Sequence, residues 1–236
     1  MTAFFRYPKS AAFGRVVPKA KIYERAGANT ALRGLFVREV DQIVWRFKLA
    51  PETTNLSATK AVTEVHIFGL SLKTGKLDEA VLRAIDKAIP FPLIFELTWR
   101  RKRKAVAAFK RPSAANSTKW VISEYFVTGW VPEDAPREPL PVALDLGALY
   151  DRMLTAIMPA AGHGSEDIQT RVERIDAIRA KTREVERITV RLNREKQFNK
   201  RVAINAEKRS AKQELERLTT TNPRPAMPND CEDRNG

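Results

Sequence analysis

Residues 62–99 read VTEVHIFGLSLKTGKLDEAVLRAIDKAIPFPLIFELTW. Val62 to Leu72 carries β-branched and aromatic residues in the density expected of a strand. Lys73-Thr74-Gly75-Lys76 is a turn. From Leu77 to Ile89 the spacing changes to that of a helix, with Leu77, Val81, Ile85 and Ile89 on one face. Asp78 and Glu79 fall in its first turn, where the helix dipole favours negative charge. Pro90 and Pro92 end it, and Leu93 to Trp99 is a second strand. Strand–helix–strand at this length is a crossover unit, so the two strands are expected to be parallel or nearly adjacent in one sheet.

Outward from this unit, the next feature is Arg100-Arg101-Lys102-Arg103-Lys104. It joins the strand ending at Trp99 to a strand expected from Ala105 to Lys110. Five consecutive cations at a hairpin tip repel one another unless water or phosphate meets them. Lysines there can also serve only to deter edge pairing. Phosphate contact would fix position without reading sequence. Trp120 to Val131 reads as a further strand, and four prolines between residues 132 and 141 as an extended linker. Leu146, Leu149, Tyr150, Met153, Leu154 and Ile157 describe an amphipathic helix from about Asp145.

Towards the N-terminus, Leu32, Leu35, Phe36, Val40, Ile43, Val44 and Phe47 follow helical spacing from Thr30 to about Lys48, with Pro51 as the stop. A strand from Gln42 to Leu49 competes for the β-branched end. Residues 4–23 interleave aromatics with cations, among them Arg6 and Lys9. Such a segment can bind single strands, cations on phosphate and rings on bases. The same rings can equally dock the N-terminus onto the core.

Ser165 to Leu218 contains neither glycine nor proline and is dense in Arg, Lys, Glu and Gln. As one helix it would be roughly 80 Å long. Its apolar stripe includes Ile168, Val172, Ile175, Ile178, Val185, Ile188, Leu192 and Val202, with a heptad slip near Ile178. The stripe needs a second helix, from the chain folded back, from another copy or from a different protein. Ile175, Ile178, Val185, Ile188, Leu192, Phe198 and Val202 are its candidate partner-binding residues. The expected organisation is an α+β head over residues 1–160, with helices on a mixed sheet. A long coiled-coil-type helical arm follows over 161–219 and a disordered tail over 220–236.

The 42 Lys and Arg against 28 Asp and Glu leave a net charge of +14, which concerns partners and not fold. Nucleic acid backbone is the leading candidate, through Arg100, Arg101, Lys102, Arg103, Lys104, Arg6 and Lys9. No stretch approaches the ~20 apolar residues of a membrane span, and Met1 to Pro8 lacks a signal-peptide pattern. The single cysteine, Cys231, supplies neither a disulfide nor a thiolate site, so a cytoplasmic protein is expected.

With ten glycines in all, no Walker-type loop or dinucleotide fingerprint is present, and two histidines make no His-rich metal site. No cofactor or metal is implied. His66 reads as a packing or surface residue. Glu64 and Glu96 on the paired strands, with Lys110 to follow, could serve a metal-dependent nuclease, but such carboxylates also occur as plain solvent-facing residues and the spacing fits no tight nuclease signature.

Phe4-Phe5-Arg6-Tyr7-Pro8, Lys48-Leu49-Ala50-Pro51-Glu52-Thr53, Ile89-Pro90-Phe91-Pro92-Leu93-Ile94-Phe95-Glu96-Leu97 and Glu195-Lys196-Gln197-Phe198-Asn199 resemble a bacterial family known as domain of unknown function forty-three ninety-one. The resemblance covers most of the chain and brings no catalytic residues with it. It implies a gene neighbourhood of helicases and DNA methyltransferases in restriction-like or phage-defence clusters. The expectation is therefore a non-catalytic, DNA-associated accessory subunit that docks a helicase, a methyltransferase or a second copy through its arm. A metal-dependent nuclease and a coiled-coil scaffold that binds protein only are the alternatives.

Overall fold

The computed structural model describes residues 3–113, 120–159 and 166–220 of the chain. These fall into two compact units, Met1–Ala160 and Ala161–Gly236.

The first unit is α+β, built on a mostly antiparallel seven-stranded sheet. Strand β1 (Phe5–Arg6) lies outside that sheet. The sheet opens with β2 (Ala12–Val16), followed by helices α1 (Lys19–Ala26) and α2 (Thr30–Glu39), strand β3 (Val40–Leu49) and the short helix α3 (Pro51–Thr54). Strand β4 (Val65–Leu72), helix α4 (Glu79–Ala88) and strand β5 (Leu93–Trp99) form the crossover unit. Then come β6 (Lys102–Pro112), β7 (Trp120–Val127), β8 (Val131–Pro132), β9 (Glu138–Pro139) and helix α5 (Leu146–Ile157). The order is β2-β3-β4-β5-β6-β7, with β8 also on β6, while β1 and β9 pair separately in parallel. Strands β4 and β5 are parallel, in register from His66–Leu93 to Ser71–Thr98, as the crossover length requires.

The core explains why these segments hold. Helix α4 buries Val81, Leu82, Ala84, Ile85 and Ala88 against Phe68, Leu70, Phe95 and Leu97. Each such Val, Leu, Ile or Phe contributes about 1.5–3 kcal/mol when fully buried. Helices α1 and α2 add Ile22, Ala26 and Phe36 to the same cluster. Strand β6 faces α5 elsewhere: Phe109 stacks on Tyr150 at 6.3 Å, and the Tyr150 hydroxyl donates to the Ala108 carbonyl at 2.8 Å.

Two sequence expectations change. The helix expected from Thr30 to Lys48 ends at Glu39, and Val40–Leu49 is a ten-residue strand. Paired on both edges by β2 and β4, this segment gains ladder hydrogen bonds that its helical spacing could not offset. The run Ser165–Leu218 is not one continuous helix. Helix α6 (Ile168–Arg194) ends at Glu195, and α7 (Phe198–Thr220) begins three residues later.

The two helices pack on each other. Val185, Ile188 and Leu192 meet Ile204 and Ala211. Arg191 pairs with Glu207, and Lys181 acts electrostatically on Glu214. Partners move forward along α7 as they move back along α6, so the pair is an antiparallel hairpin. Of the three ways to cover the stripe, the chain folds back on itself. The expected tail lies outside the described residues apart from Thr220, as does the glycine-containing joint at 160–165.

Candidate nucleic-acid interface

Strands β5 and β6 close in a two-residue turn, because Trp99 and Lys102 are paired partners. Its central residues, Arg100 and Arg101, have φ of 45° and 58°. Both are thus left-handed, as a type I′ hairpin turn demands and as non-glycine side chains resist. The five-cation run is accordingly not all tip. Arg100 and Arg101 form the turn, Lys102 begins β6, and all three are exposed.

Strand alternation then sorts the other two. Arg103 is buried at 4% exposure; its guanidinium donates to the Ala135 carbonyl and lies over the Phe4 ring at 4.4 Å. Burial lowers its pKa, with nearby Arg137 acting in the same direction. Lys104 is half-buried over the Trp130 ring at 4.7 Å, and burial lowers its pKa too. Arg100 covers Trp99 at 4.8 Å, and the two tryptophan rings are 6.2 Å apart. The end of the hairpin is therefore a basic and aromatic surface: Trp99 and Trp130 with Arg100, Arg101, Lys102 and Lys104. Sequence reasoning found the cations but missed Trp130, which arrives from beyond β7.

At the N-terminus, Phe4 and Phe5 are buried, so these rings dock the segment onto the core. Arg6 and Lys9 remain exposed beside them. Further along, Phe13 packs on Trp45 at 4.1 Å and carries Arg15 on its ring at 4.7 Å.

The two carboxylates considered for metal chemistry do not converge. Glu96, 1% exposed, accepts two hydrogen bonds from Arg137 at 2.8 and 2.7 Å, one from Arg46 at 3.3 Å and a longer one from the Tyr7 hydroxyl at 3.4 Å. Those bonds to Glu96 raise the Arg137 pKa. Arg46 reaches Glu96 across Gly69 on the intervening strand. A Cβ at Gly69 would stand 2.3 Å from the Arg46 Nε, so only glycine leaves the passage open. Glu64 instead pairs with Lys48 at 2.9 Å and with the His66 Nε2 at 2.8 Å.

His66 shares its side of β4 with Phe68 and Leu70. Gly69, the register partner of Glu96, points the other way. Lys110 belongs to neither carboxylate. Wholly buried, it donates to the carbonyls of Asp86 and Ile89 at 2.5 Å each and lies 3.4 Å from the Asp86 carboxylate. Tyr125 donates to the same carboxylate. Among the described residues, no group of three or more His, Cys, Asp or Glu could hold a metal ion.

In the second unit, Ile188 and Leu192 are buried and Val185 half-buried in the seam of the hairpin. Ile175 is buried and Ile178 half-buried. Phe198 and Val202, one turn apart on α7, are 78% and 54% exposed. They are the members of the proposed partner-binding set that face solvent. Among the described residues, no helix is long and apolar enough to cross a membrane.

These features define a class: a basic α+β sheet domain followed by a helical hairpin, with the buried carboxylates considered above engaged by cations. The model of the family described as Domain of unknown function (DUF4391) matches residues 5–215, and the chain belongs to that family. No curated protein and no solved structure matches.

Proposed function

We propose that this protein is a non-catalytic, DNA-associated accessory subunit of a bacterial restriction-like or phage-defence complex. The β5–β6 hairpin end engages the nucleic-acid backbone. The observation that carries this reading is the grouping of exposed Arg100, Arg101 and Lys102 with Trp99, Trp130 and Lys104 on one hairpin end. Cations track phosphates, and the half-buried indoles beneath Arg100 and Lys104 hold those cations at the surface and add aromatic contact for unpaired bases. A net charge of +14 adds long-range attraction to any polyanion.

The pairing of Glu96 with Arg137 and Arg46 supports the non-catalytic part. A carboxylate already satisfied by two guanidinium groups is a poor cation ligand. The second unit supplies the docking element, a hairpin in place of a continuous coiled-coil arm. Its exposed Phe198 and Val202 are suited to an apolar patch on a helicase or methyltransferase subunit.

The test is binding of the full chain to single-stranded and duplex DNA over a salt series. Tight binding at low salt is expected to fall steeply as salt rises. Arg100→Glu with Arg101→Glu is expected to weaken it by about tenfold or more. Salt-independent binding, or a double variant indistinguishable from wild type, would refute the reading. Partner docking is tested by capture from native cells with intact protein and with Phe198→Asp, which should lose the helicase or methyltransferase.

A further inference from the structure

A second site lies at the edge of the first unit, sharing no residue with the hairpin end. It is a cavity of about 310 Å³ between β2, α1, β3 and β4 and the Pro90-Phe91 turn, a volume at the small end of ligand pockets. Its wall is a chain of touching rings. Phe13 meets Trp45 at 4.1 Å, Trp45 meets His66 at 4.5 Å, and His66 meets Phe91 at 4.7 Å. Three exposed cations line the same cavity: Arg15 from β2, and Lys21 and Arg25 one turn apart on α1.

The imidazole gives the wall a polar demand. His66 is 1% exposed, and its Nδ1 is buried without a hydrogen-bond partner. Its Nε2 faces the Glu64 carboxylate at 2.8 Å, and Lys48 holds the other oxygen of that carboxylate. The proton therefore belongs on Nε2, leaving Nδ1 as a bare acceptor. Burial also holds the ring below its ordinary pKa, which favours this neutral form. A buried acceptor left unsatisfied is unfavourable, and a donor delivered there relieves it.

Each part of the site asks for one chemical group. The rings ask for a flat aromatic, the cations for an anion, and the imidazole for an N–H donor. A nucleotide carries all three, since every nucleobase presents an N–H on its Watson–Crick edge and is joined to phosphate. We propose that this cavity binds a nucleotide. Its base packs against Phe13 and Phe91, the half-buried rings at the two ends of that chain, and its phosphate lies on Arg15, Lys21 and Arg25. For the base to reach Nδ1, half-buried Phe13 or Phe91 turns aside. The ligand is either a free mononucleotide or an unstacked base of a single strand. The inference stands apart from the hairpin reading, because either site can exist without the other.

Titration calorimetry on the full chain decides it, with AMP, CMP, adenosine, ribose 5-phosphate and an oligo(dA) as probes. AMP or CMP, or the oligonucleotide in their place, is expected to bind. Adenosine and ribose 5-phosphate should be at least about tenfold weaker, one lacking the anion and the other the ring. Phe13→Ala and Arg15→Ala, on a half-buried and an exposed residue, should each weaken binding by about tenfold while leaving the fold intact by circular dichroism. Binding by mononucleotides identifies a free-ligand site; binding by the oligonucleotide alone, retained in Arg100→Glu with Arg101→Glu and weakened in Phe13→Ala, identifies a strand-borne base, and oligonucleotide binding that only the hairpin variant weakens overturns the proposal. Arg100→Glu with Arg101→Glu should leave mononucleotide binding unchanged, separating this site from the hairpin. No binding of any nucleotide probe at about 1 mM, equal binding of ribose 5-phosphate, or wild-type affinity in both variants would overturn the proposal.

Discussion

Two buried ion clusters in the same sheet domain solve the problem of an interior charge in opposite ways. In one, Lys110 and Asp86 are 0% and 3% exposed, one cation to one anion, sealed by the Tyr125 hydroxyl and by two backbone carbonyls. In the other, Glu96 is 1% exposed but its partners Arg46 and Arg137 are 33% and 25% exposed, two cations to one anion. The first cluster is balanced and closed. The second keeps its surplus charge at the rim, where water still screens it. A deeply buried carboxylate is therefore not by itself a reactive one; what matters is how many cations already hold it and where their excess lies.

The sharpest way to break this contrast is Lys110→Met. It strands the Asp86 carboxylate, whose pKa burial already raises, at 3% exposure. Removing one member of a buried pair costs about 3–5 kcal/mol, readable as a shift in the urea midpoint. Glu96→Gln should cost less, about 1–2 kcal/mol, because Arg46 and Arg137 can turn to solvent. Equal losses for the two variants would erase the distinction.

Gly69→Ala sharpens the second cluster further. The new methyl displaces Arg46 while leaving the Arg137 pair in place, for an expected loss of about 1 kcal/mol. That loss should largely disappear when Arg46→Ala is already present. The smallest effect belongs to His66, buried with no surplus charge of its own. Its folded-state pKa lies below the ordinary 6.5, so between those two values the unfolded chain binds the proton and the folded chain does not. Stability should then decline as pH falls below about 6.5, by no more than about 1.4 kcal/mol per pH unit. His66→Gln should flatten that part of the profile in thermal melts at several pH values.

Much of the sheet was legible because local punctuation set it. Pro90, Pro92 and the cation run bracket Leu93–Trp99, and Asp145 caps α5 where the apolar spacing begins. The α2–β3 junction was not, since Val40, Ile43 and Val44 fit a helical stripe and a strand alike. The break at Glu195-Lys196-Gln197 was hidden in good helix formers, with no glycine or proline to mark it. Arg103 was counted with its neighbours because a run of identical charge conceals the two-residue alternation of a strand. The cationic partners of Glu96 lie 50 and 41 residues away in sequence, so no local pattern could announce them. The pocket at His66 was invisible for the same reason: its rings come from three strands and a turn.

The left-handed pair Arg100-Arg101 has an engineering consequence. Each of these residues holds a backbone shape that asparagine and glycine adopt more easily. Exchanging them for Asn-Gly should make the hairpin harder to melt and the protein a poorer polyanion binder at the same time. The turn would then hold two exposed cations at the expense of backbone ease.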